Sequence, residues 1–215
     1  LNALTNIPNN SVNLVIADLP YGQTNNIWDV KINLEQLWKQ LKRIGTTNTA
    51  YIFFTTTKFG IDLIQSNKDW FRYDLVWTKD KPVGFLNAKR MPMRSHEMIY
   101  VFYNKLPTYN IEGNHILTKN NTQKTEYLNG CYGVKKKCKT EYTPRLPTTI
   151  LNFNTINNMK KRYHPTEKPI DLLEWLIKYY SNEGDTILDP TMGSGSTGIA
   201  CLNMKRNFIG IEMDK

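Results

Sequence analysis

The chain has 215 residues, 40% of them hydrophobic and 12% aromatic, so it is long and apolar enough to fold as one α/β domain around a sizeable core. No apolar run approaches the roughly 20 residues of a membrane span, and the N-terminus lacks the basic start and apolar stretch of a signal peptide. The three cysteines show no paired metal spacing, which predicts that the chain has no metal site. Because no secretory signal is present, the cysteines are expected to be reduced and the protein cytoplasmic. The formal net charge of +9 favours a polyanion as partner.

Strand and helix patterns alternate along the first half of the chain. An apolar run at residues 13–17 predicts a buried parallel strand, which ends abruptly in Asp18-Leu19-Pro20-Tyr21. Ligands of open α/β sheets bind just outside such strand ends. The polar loop at 22–29 is interpreted either as a lid over a substrate or as an ordinary surface loop. Further periodicities predict the doubly wound pattern, with helices at 34–44 and 59–66 and strands at 49–55 and 73–78.

Two segments are rich in positive charge. A basic loop at 85–94 leads to a strand at 96–103, which is predicted to be antiparallel to its predecessor, and His96-Glu97 at its start is interpreted as structural rather than catalytic. Segment 104–163 contains eleven Lys and Arg but only three Glu, a net charge of +8, and tyrosines are interleaved with them. Such a surface suits phosphates and unpaired bases, so we favour a nucleic-acid contact over a solvated, loosely ordered insertion.

The C-terminal part predicts a ligand-binding βαβ unit. A helix at 170–180 starts after Pro169, whose fixed backbone suits a helix start. A strand at 185–190 then leads to a glycine-rich loop at 191–198, a helix to about 204 and a strand at 207–211.

The glycines Gly193, Gly195 and Gly198 match the pattern G-x-G-x-x-G, so a nicotinamide or flavin dinucleotide is the obvious rival ligand. However, Asp189 at the strand end would repel a pyrophosphate, and the glycines come several residues after the strand. S-adenosylmethionine fits better because it has no phosphate and carries a sulfonium, and because its ribose hydroxyls can donate to Glu212.

Three motifs resemble those of the amino-group DNA methyltransferases, which methylate adenine N6 or cytosine N4. Asp18-Leu19-Pro20-Tyr21 is similar to their Asp-Pro-Pro-Tyr catalytic motif, with Leu19 in place of the commoner proline. His164-Pro165-Thr166-Glu167-Lys168-Pro169 resembles the motif before their cofactor loop, and Asp189–Thr197 resembles that loop. The order of catalytic motif, basic segment and cofactor loop is that of the circularly permuted β group.

The resemblance implies a Rossmann-like, S-adenosylmethionine-dependent methyltransferase sheet, circularly permuted, with an antiparallel edge strand and a small inserted target-recognition segment. The expected divisions are a catalytic half at 1–103, a basic target-recognition insertion at 104–163 and a cofactor-binding half at 164–215. The residues expected to bind S-adenosylmethionine are Thr166, Lys168, Asp189, Pro190, Thr191, Gly193, Ser194, Gly195, Thr197 and Glu212.

The predicted activity is site-specific methyl transfer from S-adenosylmethionine to adenine N6 in DNA. Asp18 is expected to accept one N–H of the amine and a backbone carbonyl of Leu19 or Pro20 the other, while Tyr21 stacks on a base swung out of the helix. Adenine is preferred to cytosine N4 because the resembled cytosine enzymes more often begin this motif with Ser. An NAD-binding oxidoreductase and a non-catalytic DNA-binding module are the alternatives from other classes.

The expected partner is double-stranded DNA in a bacterial or phage-infected cell, and not a membrane. The resemblance is compatible with a homodimer and with a cognate restriction endonuclease in a restriction-modification system. The residues expected to contact DNA are Lys89, Arg90, Arg94, Lys135, Lys136, Lys137, Lys139, Arg145, Lys160, Lys161 and Arg162.

Overall fold

The computed structural model describes residues 1–22, 32–111, 116–120, 141–155 and 167–213, with the backbone alone at 116–120 and 141–145. The chain divides into two compact units. The larger joins Leu1–Asn110 to Thr149–Lys215, and the smaller is Ile111–Thr148.

The larger unit alternates strands and helices much as the periodicity predicts. Short 3₁₀ turns occur at Asn2–Asn6 and Phe85–Asn87. The strands and helices are β1 (Val12–Asp18), α1 (Leu34–Ile44), β2 (Gly45–Thr55), α2 (Thr57–Ser66), β3 (Phe71–Val83), β4 (Arg94–Phe102), β5 (Ile116–Asn120), β6 (Glu141–Arg145), β7 (Ile150–Asn152), α3 (Ile170–Tyr180), β8 (Thr186–Asp189), α4 (Ser196–Asn203) and β9 (Asn207–Gly210), of which β5 and β6 form an antiparallel pair in the smaller unit.

Helix boundaries follow from local chemistry. The side chain of Asn33 accepts a hydrogen bond from the Gln36 N–H at 3.0 Å and caps α1, which ends at Gly45. Thr56 caps α2 in the same way, through the N–H of Phe59 at 3.3 Å. These polar caps satisfy backbone N–H groups that the first helical turn leaves without partners.

Seven strands form one mixed sheet in the order β7-β3-β4-β2-β1-β8-β9. Strand β4 runs antiparallel to both of its neighbours, β3 and β2, whereas every other pair in this sheet is parallel. The doubly wound fold with a reversed strand is thus confirmed, but the predicted position of that strand at the sheet edge is wrong. Strand β4 is hydrogen-bonded along both sides because it lies between β2 and β3, and β7, from much later in the chain, pairs with the other side of β3.

Helices cover both faces of the sheet. Leu14 and Ile16 of β1 pack in the cluster that contains α3 and α4, whereas Val15 and Ala17 pack in the cluster that contains α1 and α2. Successive side chains of a strand point to opposite faces, so a continuous apolar run is what a strand covered on both faces requires.

The smaller unit is narrower than the insertion predicted from charge at 104–163. Ile150–Asn152 pairs with β3 in the main sheet. The Asn110 N–H donates to the Tyr179 carbonyl at 2.8 Å and so ties residues just after β4 to the end of α3. Charge composition could not reveal these long-range hydrogen bonds.

Candidate active site

The site lies where β1 and β8 end. These strands are adjacent and parallel, so their carboxyl ends meet at one edge of the sheet, and Asp18 and Asp189 are the last residues of the two strands. Both acids line a single cavity of about 870 Å³. The acidic strand tips that the sequence predicted at separate positions along the chain therefore face the same space.

The carboxylate of Asp18 holds two donors. The Tyr21 hydroxyl donates to Oδ1 at 2.6 Å, and the Lys168 ammonium donates to Oδ2. The backbone carbonyl of Asp18 accepts a hydrogen bond from the Thr191 hydroxyl at 3.1 Å, which links the end of β1 to the glycine-rich loop. Leu19 is only 2% exposed, so its side chain belongs to the core and its backbone alone is available to a ligand.

A chain of alternating charges continues from Asp18 across the sheet. Lys168 lies 3.3 Å from Glu97 Oε1, and Lys79 lies 2.8 Å from Glu97 Oε2. Burial alone would lower the pKa of Lys168, but the charges of Asp18 and Glu97 outweigh burial and raise this pKa. Burial likewise would raise the pKa of Glu97, but Lys168 and Lys79 hold that pKa below its ordinary value. Lys168 and Glu97 are therefore both charged at neutral pH.

Asp189 is buried more deeply, at 5% exposed. Its Oδ1 accepts the Thr191 N–H at 3.0 Å, and its Oδ2 accepts the Thr197 hydroxyl at 2.6 Å. Burial raises the pKa of Asp189 to about 6, although these two hydrogen bonds pull in the opposite direction. Asp189 is thus an acid whose ionised form is costly until a cation approaches it.

The glycine-rich loop connects β8 to α4 and closes on β9. Gly193 and Gly195 have φ of 51° and 79°, in the left-handed region that glycine adopts without strain. The Gly193 N–H donates to Glu212 Oε2 at 2.7 Å, so the loop and the acid after β9 are joined directly. Gly198 serves packing, because a Cβ there would lie 2.9 Å from the Phe208 ring.

The structure brings most of the predicted site residues together. Two predicted residues are not among those that line the cavity. Gly195 is the residue directly before α4, and Thr166 lies outside the described residues. The predicted residues that line the cavity are Asp18, Leu19, Pro20, Tyr21, Lys168, Asp189, Pro190, Thr191, Gly193, Ser194, Thr197 and Glu212.

Sequence reasoning missed two features of the site. Lys168 was expected to bind S-adenosylmethionine, but the structure places its ammonium on Asp18 and Glu97. Glu97 was interpreted as structural, although an acid directly before the apolar run of residues 98–102 was a signal for a buried charge partner. The Lys168 ammonium also lies over the ring of Phe54, 4.9 Å from its centroid, so an aromatic face and two carboxylates surround this cation.

The predicted DNA-contacting residues fall into two groups. Lys89, Arg90 and Arg94 are exposed on the β3–β4 hairpin, which leaves the sheet at the carboxyl end of β3. Strand β3 runs in the same direction as β2 and β1. This hairpin therefore projects from the side of the sheet at which the parallel strands have their carboxyl ends, which is also the side of the cavity. Outside the described residues lie Lys135, Lys136, Lys137, Lys139, Lys160, Lys161 and Arg162, together with the side chain of Arg145.

Two features are absent from the described residues. No group of three or more His, Cys, Asp or Glu is arranged to hold a metal ion in this part of the chain. Among its helices, none combines the length and the apolar character that crossing a membrane requires.

Solved structures with the same fold are DNA methyltransferases. The chain is similar to the PvuII DNA methyltransferase (cytosine-N4-specific), with a TM-score of 0.67 and 13% identity over 98% of this chain and 78% of that one. It is also similar to the M1.HpyAVI–SAM complex, with a TM-score of 0.64 and 24% identity over 99% of this chain and 86% of that one. The fold is therefore that of S-adenosylmethionine-dependent DNA methyltransferases.

The chain belongs to the DNA methylase family of N6 and N4 methyltransferases, whose sequence model matches residues 12–215. The family transfers methyl groups from S-adenosylmethionine to adenine N6 or cytosine N4 in DNA. Among curated proteins, the chain is 26% identical to Type II methyltransferase M.HpaI of Haemophilus parainfluenzae, over 100% of this chain and 68% of the relative. It is 27% identical to DNA adenine methyltransferase YhdJ of Escherichia coli strain K12, over 98% of this chain and 75% of the relative.

Proposed function

We propose that this chain transfers the methyl group of S-adenosylmethionine to the N6 amino group of adenine in double-stranded DNA. The observation that carries the proposal is the shared cavity of Asp18 and Asp189, which end adjacent parallel strands. One acid is buried and awaits a cation, and the other is partly exposed and can receive an amine. A methyl donor and a methyl acceptor need these two environments side by side.

The cofactor half of the cavity fits S-adenosylmethionine in charge. Asp189 and Glu212 line it, and two carboxylates favour a sulfonium but oppose the pyrophosphate of a dinucleotide. When bound, S-adenosylmethionine supplies an electrophilic methyl group. Asp189 would face the positive charge of the donor, and Glu212, which already accepts the Gly193 N–H, would accept ribose hydroxyls with its remaining lone pairs. The loop residues Pro190, Thr191, Ser194, Gly195 and Thr197 would shape this half of the cavity.

The acceptor half is formed by Asp18 and the turn after it. An exocyclic amino nitrogen is a weak nucleophile because its lone pair is delocalised into the ring. Asp18 would accept one N–H and offset the positive charge that develops on nitrogen, while the backbone carbonyl of Leu19 or Pro20 would accept the other N–H. The burial of Leu19 supports a backbone role, since its side chain packs in the core and its carbonyl is left as the group that can accept a hydrogen bond.

Tyr21 would stack on the target base after it has left the duplex. Its ring packs against Phe59 with centroids 5.1 Å apart, and its hydroxyl bonds to Asp18. An incoming amine would take the place of this hydroxyl on Oδ1. Ring stacking and amine binding are thus coupled through one carboxylate oxygen.

The β3–β4 hairpin would contact the DNA backbone through Lys89, Arg90 and Arg94. Its tip exposes Phe85 at 79% and Leu86 at 97%, an arrangement of basic and apolar side chains that suits a phosphate backbone next to disturbed base pairs. We also propose target recognition for the smaller unit, whose segment contains seven Lys and Arg against three Glu.

The preference for adenine is supported by the first residue of the catalytic motif, Asp18, and by the relative named DNA adenine methyltransferase. The test is transfer of a labelled methyl group to duplex DNA, followed by digestion and chromatography of the nucleosides. The proposal expects N6-methyladenine, with transfer by Asp18→Ala reduced at least 100-fold while its affinity for S-adenosylmethionine is kept. N4-methylcytosine would overturn the adenine assignment, and unimpaired transfer by Asp18→Ala would remove Asp18 from the mechanism.

A further inference from the structure

Four charged side chains of alternating sign connect the catalytic carboxylate to the middle of the sheet. In order they are Lys79 of β3, Glu97 of β4, Lys168 before α3 and Asp18 of β1. Their side chains are 14%, 15%, 11% and 26% exposed, so the exposure is greatest at the end that faces the cavity. Buried ion pairs are weak evidence for stability, because removing charges from water costs nearly as much as their attraction returns. Stability alone therefore does not account for these four side chains, and they are candidates for a role in the reaction.

Lys168 presents a problem for the proposed reaction. Its ammonium occupies Asp18 Oδ2, and a cation there opposes the positive charge that develops on the amine nitrogen as it attacks the methyl group. Asp18 would stabilise this charge best if Lys168 moved away when the amine binds. The lysine then needs a second anion within reach, since a buried ammonium without a partner is costly.

Glu97 supplies this second anion. Its Oε1 is 3.3 Å from the Lys168 ammonium, and its Oε2 is fixed by Lys79 at 2.8 Å. The path between Asp18 and Glu97 crosses β2, where the ring of Phe54 lies 4.9 Å from the ammonium and offers a favourable face to a cation. A short shift of the Lys168 side chain would exchange one carboxylate for the other without exposing the charge to solvent.

We propose that Glu97 is a positioning residue that draws Lys168 away from Asp18 when the target amine binds. Glu97 contacts neither substrate nor cofactor, and it acts on the reaction through Lys168. The inference rests on the proposed methyl transfer, and it adds an acid of β4 to the residues on which the rate depends.

The test is a double-mutant cycle on the single-turnover rate of methyl transfer to duplex DNA. Glu97→Gln removes the second anion, so Lys168 stays on Asp18 and the rate falls at least 10-fold, whereas the KM for S-adenosylmethionine and for DNA changes less than about twofold. Lys168→Met removes the group through which Glu97 acts. The double variant is therefore expected to react at the rate of Lys168→Met alone.

Two further variants separate positioning from folding. Glu97→Asp keeps the charge on a shorter side chain and is expected to recover most of the rate that Glu97→Gln loses. Glu183→Gln makes the same chemical change in an exposed pair with Lys205 at 3.6 Å, and it is expected to leave the rate unchanged. A second measurement is the crystal structure with DNA and a non-reactive analogue of the donor, in which the Lys168 ammonium should contact Glu97 and not Asp18.

The outcomes distinguish this inference from the function on which it rests. Normal transfer by Glu97→Gln, effects of Glu97→Gln and Lys168→Met that multiply, or a lysine that stays on Asp18 in the complex would each overturn the role of Glu97 alone. A wild-type protein that transfers no methyl group to DNA would overturn the proposed function and the positioning role together.

Discussion

Replacing Asp189 by Asn tests the electrostatics of the cavity most directly. Asp189 is 5% exposed and has its pKa raised to about 6 by burial. Asparagine keeps the shape of the side chain. Its amide oxygen can accept the Thr191 N–H, and its amide nitrogen can donate to the Thr197 hydroxyl, so both contacts of the carboxylate have counterparts. The principal change is the loss of a buried negative charge.

The sign and size of the effect follow from proton linkage. The folded state binds the Asp189 proton up to about pH 6, and the unfolded state releases it near the model-compound value of 3.8. The wild-type free energy of unfolding therefore falls, because of this group, as the pH rises from 4 to 6, and the loss is complete above pH 6. A difference of about two pKa units corresponds to about 3 kcal/mol. Asp189→Asn avoids this loss.

The assay is urea unfolding followed by tryptophan fluorescence at several pH values between 4.5 and 8. Asp189→Asn should gain on the wild type as the pH rises and be more stable by up to about 3 kcal/mol at pH 8, or roughly 6–12 °C in Tm for a chain of this size. A stability difference that is the same at pH 4.5 and pH 8 would refute the assignment of a raised pKa to Asp189.

Asp80→Asn is the matched control of opposite sign. The backbone N–H and the hydroxyl of Thr155 donate to Asp80 Oδ1 at 2.6 and 2.7 Å, and these hydrogen bonds lower the pKa of Asp80. Its carboxylate stabilises the fold above the unfolded pKa, and this contribution is lost as the pH falls through the folded pKa. Asp80→Asn should thus be less stable than the wild type at pH 8, and the deficit should shrink as the pH approaches 3.

Three further tests address the site, the packing and the DNA surface. Glu212→Gln should weaken S-adenosylmethionine binding by about 10- to 100-fold in calorimetry, since it removes a charged acceptor that also holds the Gly193 N–H; unchanged affinity would exclude Glu212 from the ribose site. Gly198→Ala should lower the free energy of unfolding by about 1–3 kcal/mol in urea, because the new Cβ would meet the Phe208 ring at 2.9 Å; wild-type stability would show that the ring can move aside. Replacing the hairpin cations Lys89, Arg90 and Arg94 by Gln should weaken the salt dependence of DNA binding. The slope of the logarithm of the binding constant against the logarithm of the salt concentration, measured by fluorescence anisotropy, should fall by up to about 0.9 per residue. The exposed Lys205, just before β9 at the opposite edge of the sheet, is the control and should not change this slope.

Sequence periodicity located the regular elements of the larger unit closely. The predicted helix at 170–180 is α3 residue for residue, and the predicted strand at 13–17 is the middle of β1. Both are cases in which local chemistry decides the structure, since the apolar residues keep one period and polar or proline residues mark the ends. The predicted strand at 73–78 was too short, because β3 continues through polar residues to Val83 and there pairs with Arg94 of β4.

The chemical character of the site was also readable from the sequence. Asp18 and Asp189 each end an apolar run, and parallel strands place their carboxyl ends at one edge of a sheet, so a shared pocket follows from chain order and strand direction. The glycine-rich loop was predicted between a strand and a helix, and it connects β8 to α4 with Gly193 and Gly195 in the left-handed backbone region.

Only the tertiary structure decided which charges meet. Lys168 and Asp18 are 150 positions apart, and Glu97 joins them from a strand whose central place in the sheet depends on hydrogen bonds to both β2 and β3. Sequence patterns encode how much of each residue is buried and in which element it lies, because these properties depend on nearby residues. The choice of strand neighbours and of ion-pair partners depends on which distant surfaces fit together, and it is settled when the sheet assembles.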